Sequence, residues 1–301
     1  MSEPGPAPIS EVAENRMSFS RWMREIGWRH IILWVGLAFA LYPVVWIISA
    51  AFNKVQSLVS ARLIPREITF DNFTTLFGNA TVPFPQWIVN SYKVAIVAAL
   101  LNVLLASAGA YAFSRLRFRG RRLGLLTLLL VQVFPSFLGF IALFLLAQQV
   151  GEVFPAAGLG THLFLIMVYL GGAMGFNVFL IKGFMDTIPG SLDESARVDG
   201  AGPFQIFWRI IFPLSRPVLA VIFIITFTSL FAEVILASTL LTATDNFTLP
   251  VGLTLFISSD YSAKWGSIAA AALLGALPIV LTFLLAQRHI IGGLTQGAVK
   301  G

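Results

Sequence analysis

Apolar and polar positions in this chain separate into long blocks. Six runs are almost free of charge: Ile31–Phe52, Val94–Phe113, Leu123–Ala147, Leu163–Ile181, Pro217–Leu241 and Ser267–Ala286. A bilayer core about 30 Å thick takes roughly 20 apolar residues in a helix, and each run meets or approaches that length. Together they hold 131 of the 301 residues, and five of the six contain no charged side chain. The pattern predicts an all-α membrane protein with six transmembrane helices. The first run is too long for the apolar stretch of a cleavable signal peptide, and 30 residues precede it. It reads as an uncleaved signal-anchor.

Composition agrees with this picture. The chain is 57% hydrophobic and 11% charged, where soluble domains carry about 25% charge. Folded in water, it would expose large apolar patches. Cysteine is absent, which removes disulfides and thiolate metal sites.

The placement of charge adds an orientation. With both termini in the cytoplasm, the segments 1–30, 114–122, 182–216 and 287–301 carry 15 Lys and Arg. The external segments 53–93, 148–162 and 242–266 carry 5, at similar total length. That threefold bias follows the positive-inside rule. It also accounts for the net charge of +6 without nucleic acid. The densest basic cluster, Arg115, Arg117, Arg119, Arg121 and Arg122, falls in a nine-residue turn between two spans, where it reads as a topology signal facing lipid headgroups. Upstream, Phe19, Trp22, Met23 and Ile26 recur at helical spacing among Arg21, Arg24 and Arg29, the pattern of a short interfacial helix. Met1–Pro8, with three prolines, reads as disordered.

Polar residues inside the runs need a reason. Glu233 is the one acid there, and an intramembrane carboxylate is a functional candidate by default. A structural acid paired across helices, or one wetted near the outer end of its run, is the alternative. Asn102, Gln132 and Asn177 lie on three other runs. Each alone reads best as interhelical glue; with Glu233 they are also candidates for lining a passage for an uncharged, hydroxyl-rich solute. Pro135 and Pro278 allow kinks. Gly171 and Gly175 have the spacing of a close helix contact, with Gly172 beside them.

Catalytic signatures are missing. There is no phosphate-binding G-x-x-x-x-G-K-[ST] loop, no G-x-S-x-G elbow, and no metal-binding spacing among His30, His162 and His289. A transport or scaffold role is favoured over catalysis.

The positive signal is the segment 182–216. Ser191, Leu192, Asp193 and Glu194 have the form of a capping box opening a short helix that ends at Asp199, before Gly200, Ala201 and Gly202. Pro203 suits the first turn of a second helix, in which Phe204, Phe207, Ile210 and Ile211 form an apolar ridge up to Pro213. The product is a cytoplasmic helix-turn-helix. DNA binding does not suit it, since the segment is tethered at both ends and nearly neutral.

Here the sequence resembles the permease subunits of binding-protein-dependent ABC importers. Their loop pattern, E-A-A-x-x-x-G, nine residues, then I-x-L-P, is met by Glu194, Ala196, Gly200, Ile210 and Pro213, with Ser195 and Phe212 as departures. Thr161-His162, Tyr169 to Gly172, Ile181 to Gly183, Ala286 to Arg288 and the tail from Gly293 to Gly301 are most similar to the MalG-type subunit of maltose/maltodextrin importers.

The resemblance implies a type I ABC importer permease fold in a bacterial inner membrane. Glu194, Ser195, Ala196, Asp199, Gly200, Ile210 and Pro213 would then couple to a cytoplasmic ATPase, with the apolar ridge seated in its groove. The tail with Gly297 and Lys300, expected to lack a stable local fold, would lie along that ATPase. Implied partners are a second, MalF-like permease, two copies of a MalK-like ATPase carrying ATP and Mg, an external solute-binding protein met by residues 242–266, and a sugar. No cofactor is expected on this chain. The rivals are a permease for another sugar or for glycerol phosphate, an ATP-independent transporter, and a membrane scaffold.

Overall fold

Long apolar stretches without water have one way to satisfy their backbone groups locally, which is to coil into helices. The computed structural model describes residues 19–54, 63–78, 82–133, 135–258 and 264–298, and these are helical almost throughout. The stretch Met1–Pro8 and Lys300 lie outside the described residues.

The first span, α1, is Ser20–Ala51. Its first turn, from Phe19 to Trp22, continues through a π-helical turn at Met23–Gly27 into Trp28–Ala51. A short helix α2, Asp71–Gly78, follows, then the 32-residue helix α3, Phe84–Arg115. Gly120, with φ 86°, turns the chain into α4, Arg121–Val133. After a 3-10 turn, Ser136–Gly139, comes α5, Phe140–Val153, and then α6, His162–Met185, begun by Thr161, whose Oγ1 accepts the Phe164 N–H. The two short helices that follow are α7, Ser191–Val198, and α8, Pro203–Leu214. The chain then enters α9, Arg216–Phe231, α10, Ile235–Leu240, α11, Leu249–Ser258, and α12, Trp265–Ala298.

By length and composition α1, α3 and the Trp265–Leu284 part of α12 can each cross a membrane, and three bent helix pairs bring the number to as many as six. Two of the apolar runs are not the single helices their length suggested. The third is broken by 82° between α4 and the segment leading into α5, because Pro135 lacks the N–H that would continue the ladder. The fifth stops at Phe231. Its 16 residues span about 24 Å, and Ala232, Glu233 and Val234 leave the helix before α10 resumes. In α12, by contrast, the helix runs through Pro278.

Helix α3 lies at the centre, packed along α6 and α9, while α12 packs on α1 and α9. Its buried face reads Ala95, Ala98, Ala99, Asn102, Ala106, Ala110 at three- and four-residue spacing. Such small side chains let neighbouring backbones come close. A Cβ at Gly109 would sit 3.2 Å from Val178 on α6. Of the small residues on α6, Gly175 makes the close approach, with a Cβ position 2.8 Å from the Leu128 carbonyl; Gly171 faces open space. Exposed Trp34, Phe39, Leu130, Ile141 and Leu281 lie on the outside of the bundle, where an apolar solvent suits them.

Candidate functional site

Between α6 and α9 the chain makes the helix-turn-helix expected from its sequence, with Gly200 at the turn. Gly200 has φ 81°, a conformation that costs other residues free energy. The Gly200 N–H donates to Arg197 O at 3.0 Å and the Ala201 N–H to Ala196 O at 2.9 Å, the paired bonds of a Schellman stop. Pro203 opens α8, and Gln205 Oε1 accepts the Gly202 N–H at 3.0 Å.

Two local details differ from expectation. Ser191 is not an N-cap. Gly190 is already helical at φ −63°, and its carbonyl accepts from Asp193 and Glu194, so the helix starts one residue earlier and the capping box does not form. The apolar ridge also points the other way. Phe207 and Ile211, with Ile206, are buried in the bundle's own core against α3 and α6 residues such as Tyr111 and Ile181, and Ile210 is half-buried. The face left open carries Glu194, Ser195, Asp199 and Gly200, together with Val198, Phe204 and Trp208. Ala196 is buried beneath it, where the small side chain lets α7 lie flat, and Pro213 is half-buried.

The last turn of α3 fastens this loop. Tyr111 Oη donates to Pro203 O at 3.0 Å, at the start of α8. Ser114 Oγ donates to Asp186 Oδ1 at 2.6 Å, and Lys182 pairs with the same carboxylate. Burial pushes the Asp186 carboxyl up, but the bonds from Lys182 and Ser114 outweigh it and hold it below the usual range. Arg115 Nη2 donates to Met185 O at 3.1 Å and Ile188 O at 2.7 Å, where α6 ends. Its Nε lies 3.1 Å from Asp193 Oδ2, close enough for charge pairing though off the line of a hydrogen bond. The arginine is therefore turned inward, not out to lipid headgroups; Arg117, Arg119 and Arg122 are the exposed members of that cluster.

Inside the bundle, Asn102 and Asn177 have closed on each other. Asn177 Nδ2 donates to Asn102 Oδ1 at 2.6 Å and lies 3.1 Å from Thr226 Oγ1, tying α3, α6 and α9. At 1% and 6% exposure they are buried and serve as glue between these three helices. Gln132 is exposed and donates to the Gly172 carbonyl at 2.9 Å, beside the point where α6 bends by 50°. Glu233 accepts from Tyr169 Oη at 2.6 Å and from the Leu236 and Ala237 N–H groups at 2.7 and 3.0 Å. It caps the first turn of α10 and so holds the break in the fifth run, where the helix dipole favours a carboxylate.

The chain as a whole is similar to known proteins. The family model for "Binding-protein-dependent transport system inner membrane component" matches residues 102–291, most of the chain and all of the loop. The chain belongs to that family. It is a carbohydrate ABC importer permease, a multi-pass inner-membrane transport subunit and not an enzyme. The permease is 39% identical to the galactooligosaccharides transport system permease protein GanQ of Bacillus subtilis over 95% of this chain and 99% of that protein. It is 41% identical to the maltose/maltodextrin transport system permease protein MalG of Vibrio parahaemolyticus over 90% and 95%, respectively. Its fold matches a chain of a bacterial ABC transporter that imports the acidic polysaccharide alginate, with a TM-score of 0.72 and 24% identity over 90% of this chain and 99% of that one.

The permease also has a fastening that the sequence did not reveal, at the opposite end of α3. Trp87 Nε1 donates to Thr244 O at 2.8 Å, and Asn90 Nδ2 to Asp245 O and Phe247 O at 2.8 and 3.0 Å. Ser91 Oγ accepts the Leu249 N–H at 2.7 Å. His162 Nε2 donates to Asn246 O at 2.8 Å, and Asn246 Nδ2 to Gly160 O at 3.0 Å. Residues 244–249 thus form a strap bound down at the end of α3 opposite the loop. These partners are more than 80 residues apart in sequence, and no local motif announces them.

Proposed function

We propose that this permease lines part of the pathway of an ATP-driven importer for a neutral oligosaccharide, with maltose and maltodextrins as first cargo. The observation that carries the reading is the loop 186–214, which presents Glu194, Ser195, Asp199 and the apolar Val198, Phe204 and Trp208 outward while α3 grips it from behind. A helix-turn-helix with a mixed apolar and acidic face suits a groove on a second protein. The partner in this reading is a MalK-like ATPase in two copies, each carrying ATP and Mg. A MalF-like second permease and an external binding protein complete the assembly. The charge bias supports a topology with both termini in the cytoplasm. Gly297 and Lys300 stay candidates for ATPase contact, Gly297 within the end of a helix, since α12 continues to Ala298 and extending an existing helix costs less than nucleating one.

Cargo chemistry follows from what the spans omit. The six apolar runs hold no Lys or Arg, so nothing at mid-depth answers a polyanion such as alginate, although the fold is shared. Gln132, exposed on α4, is the polar side chain best placed for the passage; Glu233 serves it indirectly by holding the helix break. The relatives named for maltodextrins and for galactooligosaccharides are similarly identical to this chain, which supports a hydroxyl-rich neutral glycan.

The test is the reconstituted four-component complex in proteoliposomes, challenged with maltotriose, a galactooligosaccharide and an alginate oligomer. ATP-dependent uptake of the neutral sugars, and of maltotriose most strongly, is the expected result; uptake of alginate alone would contradict the cargo assignment. Gly200→Pro, which forces φ near −65° onto a residue held at 81° and deletes its N–H, should leave the chain inserted and abolish both ATPase stimulation and uptake.

A further inference from the structure

The cytoplasmic end of α3 touches three successive parts of the loop. Arg115 reaches the carbonyls that close α6 and the acid in the first turn of α7, and Tyr111 reaches the first residue of α8. The arrangement is electrostatically consistent. A cation suits the C-terminal end of α6, and an anion suits the N-terminal end of α7. Arg115 and Asp193 side chains are 12% and 5% exposed, so water screens their attraction little. At its other end the same helix holds the strap 244–249. Between the two fastenings α3 is an unbroken rod of 32 residues, about 48 Å long.

We propose that Arg115 is the positioning residue that makes the docking loop and α3 move as one body. Force received on the open face of α7 and α8 then passes along α3 to the outer strap and does not dissipate as bending of the loop. Asp193 and Tyr111 complete the fastening. The inference rests on the proposed docking of this loop to an ATPase. It adds which helix receives the motion and through which side chain.

Arg115→Met should therefore uncouple without disassembling. In reconstituted complexes the variant is expected to copurify with its partners and hydrolyse ATP, while sugar transported per ATP falls about tenfold, the scale of a lost coupling interaction. Arg115→Lys keeps the charge but loses the two-carbonyl reach, and should lie between. The chain has no cysteine of its own, so Arg115→Cys with Asp193→Cys, bridged by a short thiol-specific cross-linker, should regain transport per ATP, and the unbridged pair should not. The cysteine-free permease treated with the same reagent is the control. A ratio equal to wild type in assembled Arg115→Met complexes would overturn the proposal. Should Arg115→Met fail to assemble, Tyr111→Phe and Asp193→Asn each remove one contact; a normal ratio in both would overturn it equally. Absence of ATP-driven uptake in the wild-type complex would instead refute the underlying docking.

Discussion

The two ends of α3 hold their loops by different chemistry. At the outer end an indole, an asparagine amide, a serine and an imidazole bind backbone groups of residues 244–249, all of them neutral. At the inner end a buried guanidinium, an ion pair and a lysine–aspartate pair do the same work with charge. Leaving one partner of a neutral bond unpaired costs about 1–3 kcal/mol. A buried charge is expensive unless paired, so removing one partner is felt far more than the pair's net worth. The inner fastening is therefore the less forgiving one, and it sits where the proposed force is received.

Three changes break or sharpen that contrast, in descending order of effect. Asp193→Ala leaves Arg115 buried with carbonyls alone and should loosen the loop by about 3–5 kcal/mol, the usual cost of orphaning a buried charge. Hydrogen exchange over residues 186–202 in the purified complex reads this directly. Asn90→Ala orphans the Asp245 and Phe247 carbonyls and should cost about 1–3 kcal/mol, raising exchange at residues 244–249 while leaving the inner loop protected. Equal costs at the two ends would dissolve the distinction.

The smallest effect is a response to pH. Burial lowers the pKa of His162 below its usual 6.5, the bond to Asn246 O opposes this, and Lys93 beside Nδ1 adds to the lowering. The folded strap then binds fewer protons than the unfolded one. Its stability is complete above about pH 6.5 and falls as pH drops toward the folded pKa. The inner end should not respond in that range, since Asp186 is held below 3.8 and loses its contribution only in stronger acid. Exchange at the strap, corrected for the intrinsic rate, should rise between pH 7 and about pH 5.5 in wild type and stay level in His162→Gln.

Much of this architecture was legible because lipid permits so few solutions. Four of the six apolar runs lie within single helices, α1, α3, α6 and α12, although α6 bends. Gly200 could be placed at the turn because a left-handed residue leaves a compositional mark. The breaks were harder. Pro135 announces a kink but not one of 82°, and the break at Glu233 has neither Pro nor Gly, only a carboxylate whose capping role needs the geometry of α10. The periodicity of Phe207 and Ile211 shows that their helix has an apolar face, not what that face meets, and it meets the bundle's own core rather than a partner. Arg115 was hidden by its neighbours: one arginine among five looks like the rest until its carbonyl and carboxylate partners, about 70 or more residues away, are folded against it.

Uptake by purified components tests ATP-driven import most directly. Proteoliposomes holding both permeases and the ATPase, given external binding protein and labelled maltotriose, should accumulate sugar only with internal ATP. Glu194→Lys, which reverses an exposed charge on the docking face, should abolish accumulation while all subunits still copurify. Accumulation by this chain alone, driven by an ion gradient without nucleotide, would contradict it.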